Sequence, residues 1–203
     1  MLHTNTVEPN TLELLKRLMS IQFLNNFFLV GGTALSLQIG HRKSIDLDLF
    51  STENFDVQEI LTCLKPDLII QDSKKILQLV VQEIRVDFVS LPYSLIDKLV
   101  IEDKIRLASI NDIVAMKLKA IAGRGSKKDF YDIYYLLKRF SVKEMIMLFK
   151  EKYPDHEVFT VYKSLLYFED ADIEPEPILF EKLEWKQVKN KISIEVKSFL
   201  ANL

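Results

Sequence analysis

The stretch from Phe27 to Phe50 constrains this chain more than any other. It reads as a strand, a Gly31-Gly32 pair, a helix and a second strand that carries Asp46 and Asp48. Alternate side chains of a strand share a face, so Asp46 and Asp48 point one way and Ile45, Leu47 and Leu49 the other. An apolar strand of this kind belongs inside a sheet. Two carboxylates on one face of it repel each other and resist desolvation. No lysine or arginine stands at the alternate positions within the strand to neutralise them. A divalent cation meets that demand, and hard oxygen donors select magnesium or manganese.

Gly31 and Gly32 follow the first strand and open the helix. Backbone N–H groups there can approach a phosphate closely, helped by the helix N-terminus, and Thr33 adds a hydroxyl. No lysine follows as in a P-loop. Asp46 lies fourteen positions after Gly32, room for one short helix and a turn. The second strand can then lie beside the first, with the phosphate cradle facing the acidic pair across a small cleft. The plainer alternative is a tight turn and an exposed pair of edge carboxylates. A third carboxylate, Asp87, lies in Ile84-Arg85-Val86-Asp87-Phe88, on the face opposite the apolar residues. Beside the Asp46 strand it would complete a three-carboxylate site able to hold two metals. The alternative is a local Arg85–Asp87 pair on a solvated face.

The remainder of the chain supports an α/β (α+β) fold with a central sheet. At 203 residues it can hold one sizeable core or two small lobes. No apolar run approaches the roughly 18 residues of a membrane helix, and the N-terminus shows no signal-peptide pattern. The single cysteine, Cys63, excludes an intramolecular disulfide and is expected as a buried thiol. These features place the protein in a reducing cytoplasm. Helices are expected over Thr11–Ser20, capped by Asn10, and over Thr33–Ile39 and Val57–Leu64. Strands are expected over Phe27–Val30, Ser44–Phe50, Leu68–Ile70, Ile76–Val81 and Ile84–Val89. After Pro92 the pattern turns helical, so a sheet lobe of residues 1–95 precedes a helical lobe of residues 96–203. Ser109…Asp112, Ser126…Asp129 and Ser141…Glu144 mark helix starts. Trp185, Val188, Ile192, Val196 and Phe199 form an apolar helix stripe that reads as packing. The five glycines cluster in two places, where positive φ or close approach is expected.

Charge is nearly balanced at −2, but unevenly spread. Lys98 to Lys143 holds eleven basic and five acidic residues, a net +6. That is the footprint of a polyanion surface, or equally a pair of solvated helix faces. Within it, Lys117 and Arg124 lie seven apart on one helix face, and Lys128 and Asp129 follow. Basic side chains there could hold triphosphate charge. The local alternatives are Asp129 in a Ser126 capping box and Asp132 paired with Lys128 at i, i+4.

Two blocks now carry a resemblance. Phe28-Leu29-Val30-Gly31-Gly32-Thr33-Ala34-Leu35 and Gly40-His41-Arg42-Lys43-Ser44-Ile45-Asp46-Leu47-Asp48-Leu49-Phe50 resemble the signature of AbiEii/AbiGii-type toxins. These belong to the nucleotidyltransferase superfamily with a DNA polymerase β-like catalytic fold. The stretch from Lys117 to Asp132 resembles the second block of that family, and Ser164–Asp172 with Trp185 its C-terminal region. The resemblance implies transfer of a nucleoside monophosphate from an NTP to an acceptor hydroxyl, in some members a tRNA 3′ end. It implies an antitoxin partner. It implies Asp46, Asp48 and Asp87 at magnesium, and phosphate held by Gly31, Gly32 and Thr33. Lys117 resembles the nucleotide-contacting lysine and Asp129 an active-site aspartate; Arg124 and Lys128 match less decisively. The acidic constellation alone would also suit a phosphohydrolase or nuclease, and the same cleft an inactive nucleotide-binding module.

Overall fold

Pro9 begins the first helix, α1 (Pro9–Ser20), at the position where its missing N–H is not needed. Glu8 is the N-cap, so the expected cap at Asn10 is not used. The structure, a computed structural model, describes residues 1–202. It divides into two compact units, Met1–Ser109 and the chain from Ile110 onward. The division falls later than residue 95 because Val100–Leu107 is a hairpin that extends the first unit's sheet.

In the first unit, β1 (Phe28–Leu29) is short and fully buried and leads into α2 (Gly31–Ile39). Gly40, in the left-handed region, ends that helix. Next come β2 (Leu47–Ser51), α3 (Val57–Leu64), β3 (Leu68–Asp72), β4 (Ile76–Val81), β5 (Ile84–Ser90), β6 (Val100–Glu102) and β7 (Ile105–Leu107). They form one mixed sheet in the order β3-β4-β5-β2-β1-β7-β6. Its middle strands are the most buried: Leu47, Leu49, Val86 and Phe88 are all sealed from solvent. β2 starts later than expected; Ile45 is 62% exposed rather than buried with Leu47. Asp46 therefore sits at the mouth of the strand, not within it. Cys63 also departs from expectation: α3 buries Ile60 and Leu64, and the thiol lies on its exposed side.

Two hairpins turn on residues not usually found at such turns. Gln82-Glu83 joins β4 to β5, and Asp103-Lys104 joins β6 to β7, each with two consecutive positive φ values. This is the type I′ geometry that Asn-Gly or Asp-Gly normally supplies, which explains why the second hairpin is hidden in the sequence. Arg106 on β7 is inward-reaching. It donates to the carbonyls of Phe27 (2.8 Å), Met19 (3.0 Å) and Leu24 (3.1 Å), tying α1 and the approach to β1 to the sheet.

The second unit is helical: α4 (Ile110–Gly123), α5 (Lys127–Leu136), α6 (Val142–Lys152), α7 (Val158–Leu165), α8 (Glu169–Asp172) and α9 (Trp185–Leu200). All three serine-marked starts are used. Ser141 with Glu144 forms a reciprocal capping box, whereas Ser126 makes no side-chain cap. On α9, Val188, Ile192 and Val196 are buried, so the stripe packs as expected. No helix among the described residues is long and apolar enough to cross a membrane.

Candidate active site

β2 lies between β1 and β5. Its parallel pairing with β5 places Asp48 directly opposite Asp87. Residues in register on adjacent strands share a sheet face, roughly 5 Å apart. Asp48 also leans over the start of α2. A Cβ added to Gly31 would lie 2.2 Å from Asp48 Oδ2, and Gly31 has a φ of +71°. Gly31 is thus required twice, by its backbone conformation and by the carboxylate above it. The main chain cements the approach, with Val30 N–H donating to the Asp48 carbonyl at 2.9 Å. So the first β–α turn and the acidic strand do meet within the first unit.

Gly32 faces another group. A Cβ there would lie 2.3 Å from a terminal nitrogen of Arg42 and 3.3 Å from Ser44 Oγ. Arg42 is buried and donates to the Lys43 carbonyl at 3.0 Å. Thr33 differs from its expected role. It is buried, its hydroxyl donates to the Asp46 carbonyl, and Ser44 Oγ lies 2.8 Å away. A hydroxyl has one proton to give, so Thr33 ties α2 to the entry of β2 rather than offering a donor to a phosphate.

Asp87 has two partners on its own face. Arg85 Nε donates to its Oδ1 at 3.1 Å and a terminal nitrogen of Arg85 to Oδ2 at 3.3 Å. Gln78 Nε2 donates to Oδ2 at 2.6 Å. Among the described residues no group of three or more His, Cys, Asp or Glu side chains gathers as a metal site. Asp87 thus carries the Arg85 pair that the sequence offered as the alternative, on the face it shares with Asp48. Gln78 could have been found from the sequence had the Gln82-Glu83 turn been recognised, since that turn pairs it with Asp87.

In the second unit, Lys117, Arg124, Ser126, Asp129 and Asp132 come together where α4 gives way to α5. Lys117 Nζ reaches Asp129 Oδ1 at 2.9 Å and pairs with Asp132; its side chain is only 5% exposed and both carboxylates are fully buried. Arg124 Nε contacts Asp129 Oδ2 at 3.2 Å. Ser126 Oγ donates to that oxygen at 2.7 Å, so no capping box forms there. Burial pushes the Asp129 carboxyl up, but the Lys117 and Arg124 charges prevail and bring it down to about 2. Asp132 turns to Lys117, while Lys128 is exposed. The +6 count overstates the surface charge, since Lys117 and Lys127 point inward, to the buried Asp129 carboxylate and to the Glu174 carbonyl.

A mixed seven-stranded sheet with carboxylates on β2 and β5 beside a glycine-opened helix is the nucleotidyltransferase fold of the polymerase β type. Solved structures share it. JHP933 from Helicobacter pylori superposes with a TM-score of 0.56 at 18% identity, covering 97% of this chain and 94% of its own. MenT4, the nucleotidyltransferase toxin Rv2826c from Mycobacterium tuberculosis H37Rv, also gives 0.56, at 16% identity over 91% and 82%. The sequence matches the family model described as "Nucleotidyl transferase AbiEii toxin, Type IV TA system" over residues 13–91 and 70–201, and the chain belongs to that family. It is a nucleotidyltransferase. It is also 34% identical over 201 residues to the uncharacterized protein aq_aa25 of Aquifex aeolicus (strain VF5), covering 94% of this chain and 96% of that one.

Proposed function

We propose that the chain transfers a nucleoside monophosphate from an NTP to an acceptor hydroxyl, with Asp46 and Asp48 holding magnesium or manganese. The observation that carries this reading is the Asp48 carboxylate seated over Gly31, in a cradle that one Cβ would fill. It puts a hard oxygen donor against a backbone turn suited to phosphate. The donor set fits the ion. Magnesium is commonly held by one or two carboxylates, with water and substrate phosphates supplying the rest. A bound ion would neutralise phosphate charge and lower the pKa of the attacking hydroxyl. The chain's own residues orient the substrate: Gly31 and Gly32 offer main-chain approach, while Thr33 and Ser44 hold the strand entry that aims Asp46.

On the family resemblance we keep Lys117 as a nucleotide-contacting residue and Asp129 as an active-site residue, with Arg124 and Lys128 beside them. A Lys117–Asp129 pair whose carboxyl is held down to about 2 is compatible with that role. We also propose an RNA acceptor, such as a tRNA 3′ end, an antitoxin partner and a cytoplasmic setting. The test is incubation with labelled NTPs, magnesium and total tRNA. Label should enter RNA with wild-type protein and be lost by at least 100-fold with Asp46→Ala, whose melting curve should match that of the wild type. A fully active Asp46→Ala variant would remove the metal assignment. Nucleotide release without incorporation would point to hydrolysis instead.

A further inference from the structure

Arg85 stands two residues from Asp87 on β5, so the two side chains share a sheet face. Its guanidinium spans both Asp87 oxygens, at 3.1 and 3.3 Å, while Gln78 takes Oδ2 from the neighbouring strand at 2.6 Å. Asp48 lies directly across from Asp87 on β2. The guanidinium therefore sits in the field of Asp87, Asp46 and Asp48 together. The Arg85–Asp87 pair thus lies on the sheet face that also carries Asp48.

The pair is also poised to open. Arg85 is 47% exposed and Asp87 13%. A half-exposed ion pair contributes little to stability, and a long arginine side chain can swing into water at small cost. A divalent cation placed on Asp46 and Asp48 would repel the guanidinium and compete for the same carboxylate field.

We propose that Arg85 is a displaceable counter-cation that opposes metal binding at the Asp46–Asp48 face and leaves when the metal arrives, freeing Asp87. The proposal rests on the reading of Asp46 and Asp48 as metal ligands. It makes Arg85 a positioning residue: it occupies Asp87 in the metal-free enzyme and sets how tightly the bare site holds a divalent ion.

The test is Mn2+ binding to the full chain without nucleotide, followed by the EPR signal of free Mn2+. Arg85→Ala should bind Mn2+ about tenfold more tightly than wild type, the size expected for removing one positive charge near the ion. Arg85→Lys, which keeps the charge, should stay within about threefold of wild type, and its melting curve guards against a folding artefact. Unchanged or weaker binding by Arg85→Ala, with binding lost in Asp48→Asn, would overturn the counter-cation while leaving the metal site standing. If Asp46→Asn and Asp48→Asn both bind Mn2+ as wild type does, the metal reading fails and the proposal falls with it.

Discussion

Gly31 carries two demands that no other residue meets together, a φ of +71° and the Asp48 carboxylate where a Cβ would be. Gly31→Ala should lose about 1–3 kcal/mol by urea denaturation, the usual scale of a strained backbone position. It should also abolish transfer, because relief requires Asp48 to move. Gly123→Ala is the contrasting control: its added Cβ meets nothing within 4 Å, and stability should hold or rise. Asp129 makes a pH prediction. Its carboxyl lies at about 2 in the fold against 3.8 as a free group. The folded value is the lower one, so its contribution is present in full above pH 4 and is lost as pH falls toward 2. That contribution is about 2 kcal/mol. The stability gap between wild type and Asp129→Asn should therefore shrink between pH 5 and pH 2 in denaturation series.

At the scale of elements, the junction of α4 and α5 is organised by charge rather than by a capping box. Lys117 on α4 holds Asp129 and Asp132, both on α5 and fully buried. Removing one partner of a buried pair exposes the full desolvation cost of what remains, about 3–5 kcal/mol. Lys117→Met should lower the urea midpoint accordingly, and adding Asp129→Asn with Asp132→Asn should recover part of the loss. A variant that stays within about 1 kcal/mol of wild type would show that the triad does not hold the two helices. The outer side of α5 is clasped as well. Glu174 accepts the Lys127 main-chain N–H at 2.7 Å, Glu176 pairs with Tyr131, and Trp185 stacks on Tyr131 at 5.7 Å. This strap was not visible in the sequence.

At the scale of the whole molecule, a nucleotidyltransferase that takes an NTP with a divalent ion should be stabilised by the two together. A ligand at 100 times its Kd adds about 2.7 kcal/mol, enough to raise the Tm by a few degrees for a chain of this length. Scanning calorimetry with magnesium and each NTP in turn should show the rise, EDTA should cancel it, and Asp48→Asn should show none. The NTP giving the largest shift is the expected donor. A chain indifferent to every nucleotide would favour loss of the site.

The sequence by itself determined the local logic: apolar alternation marked β2, β4 and β5, the glycine pair marked the turn into α2, and serine boxes marked the starts of α4, α5 and α6. It also placed Asp46 and Asp48 together, because two-residue spacing on an extended chain leaves little choice. Tertiary structure alone decided which polar groups are already spoken for. Thr33 turned to the Asp46 carbonyl, Asp87 to Arg85 and Gln78, and Lys117 to two aspartates. It also hid the β6–β7 hairpin, whose turn uses Asp103 and Lys104 in a conformation their side chains do not advertise. The physical reason is common to all of these. A side chain's partner is set by what burial brings within hydrogen-bond reach, and spacing along the chain does not encode that distance.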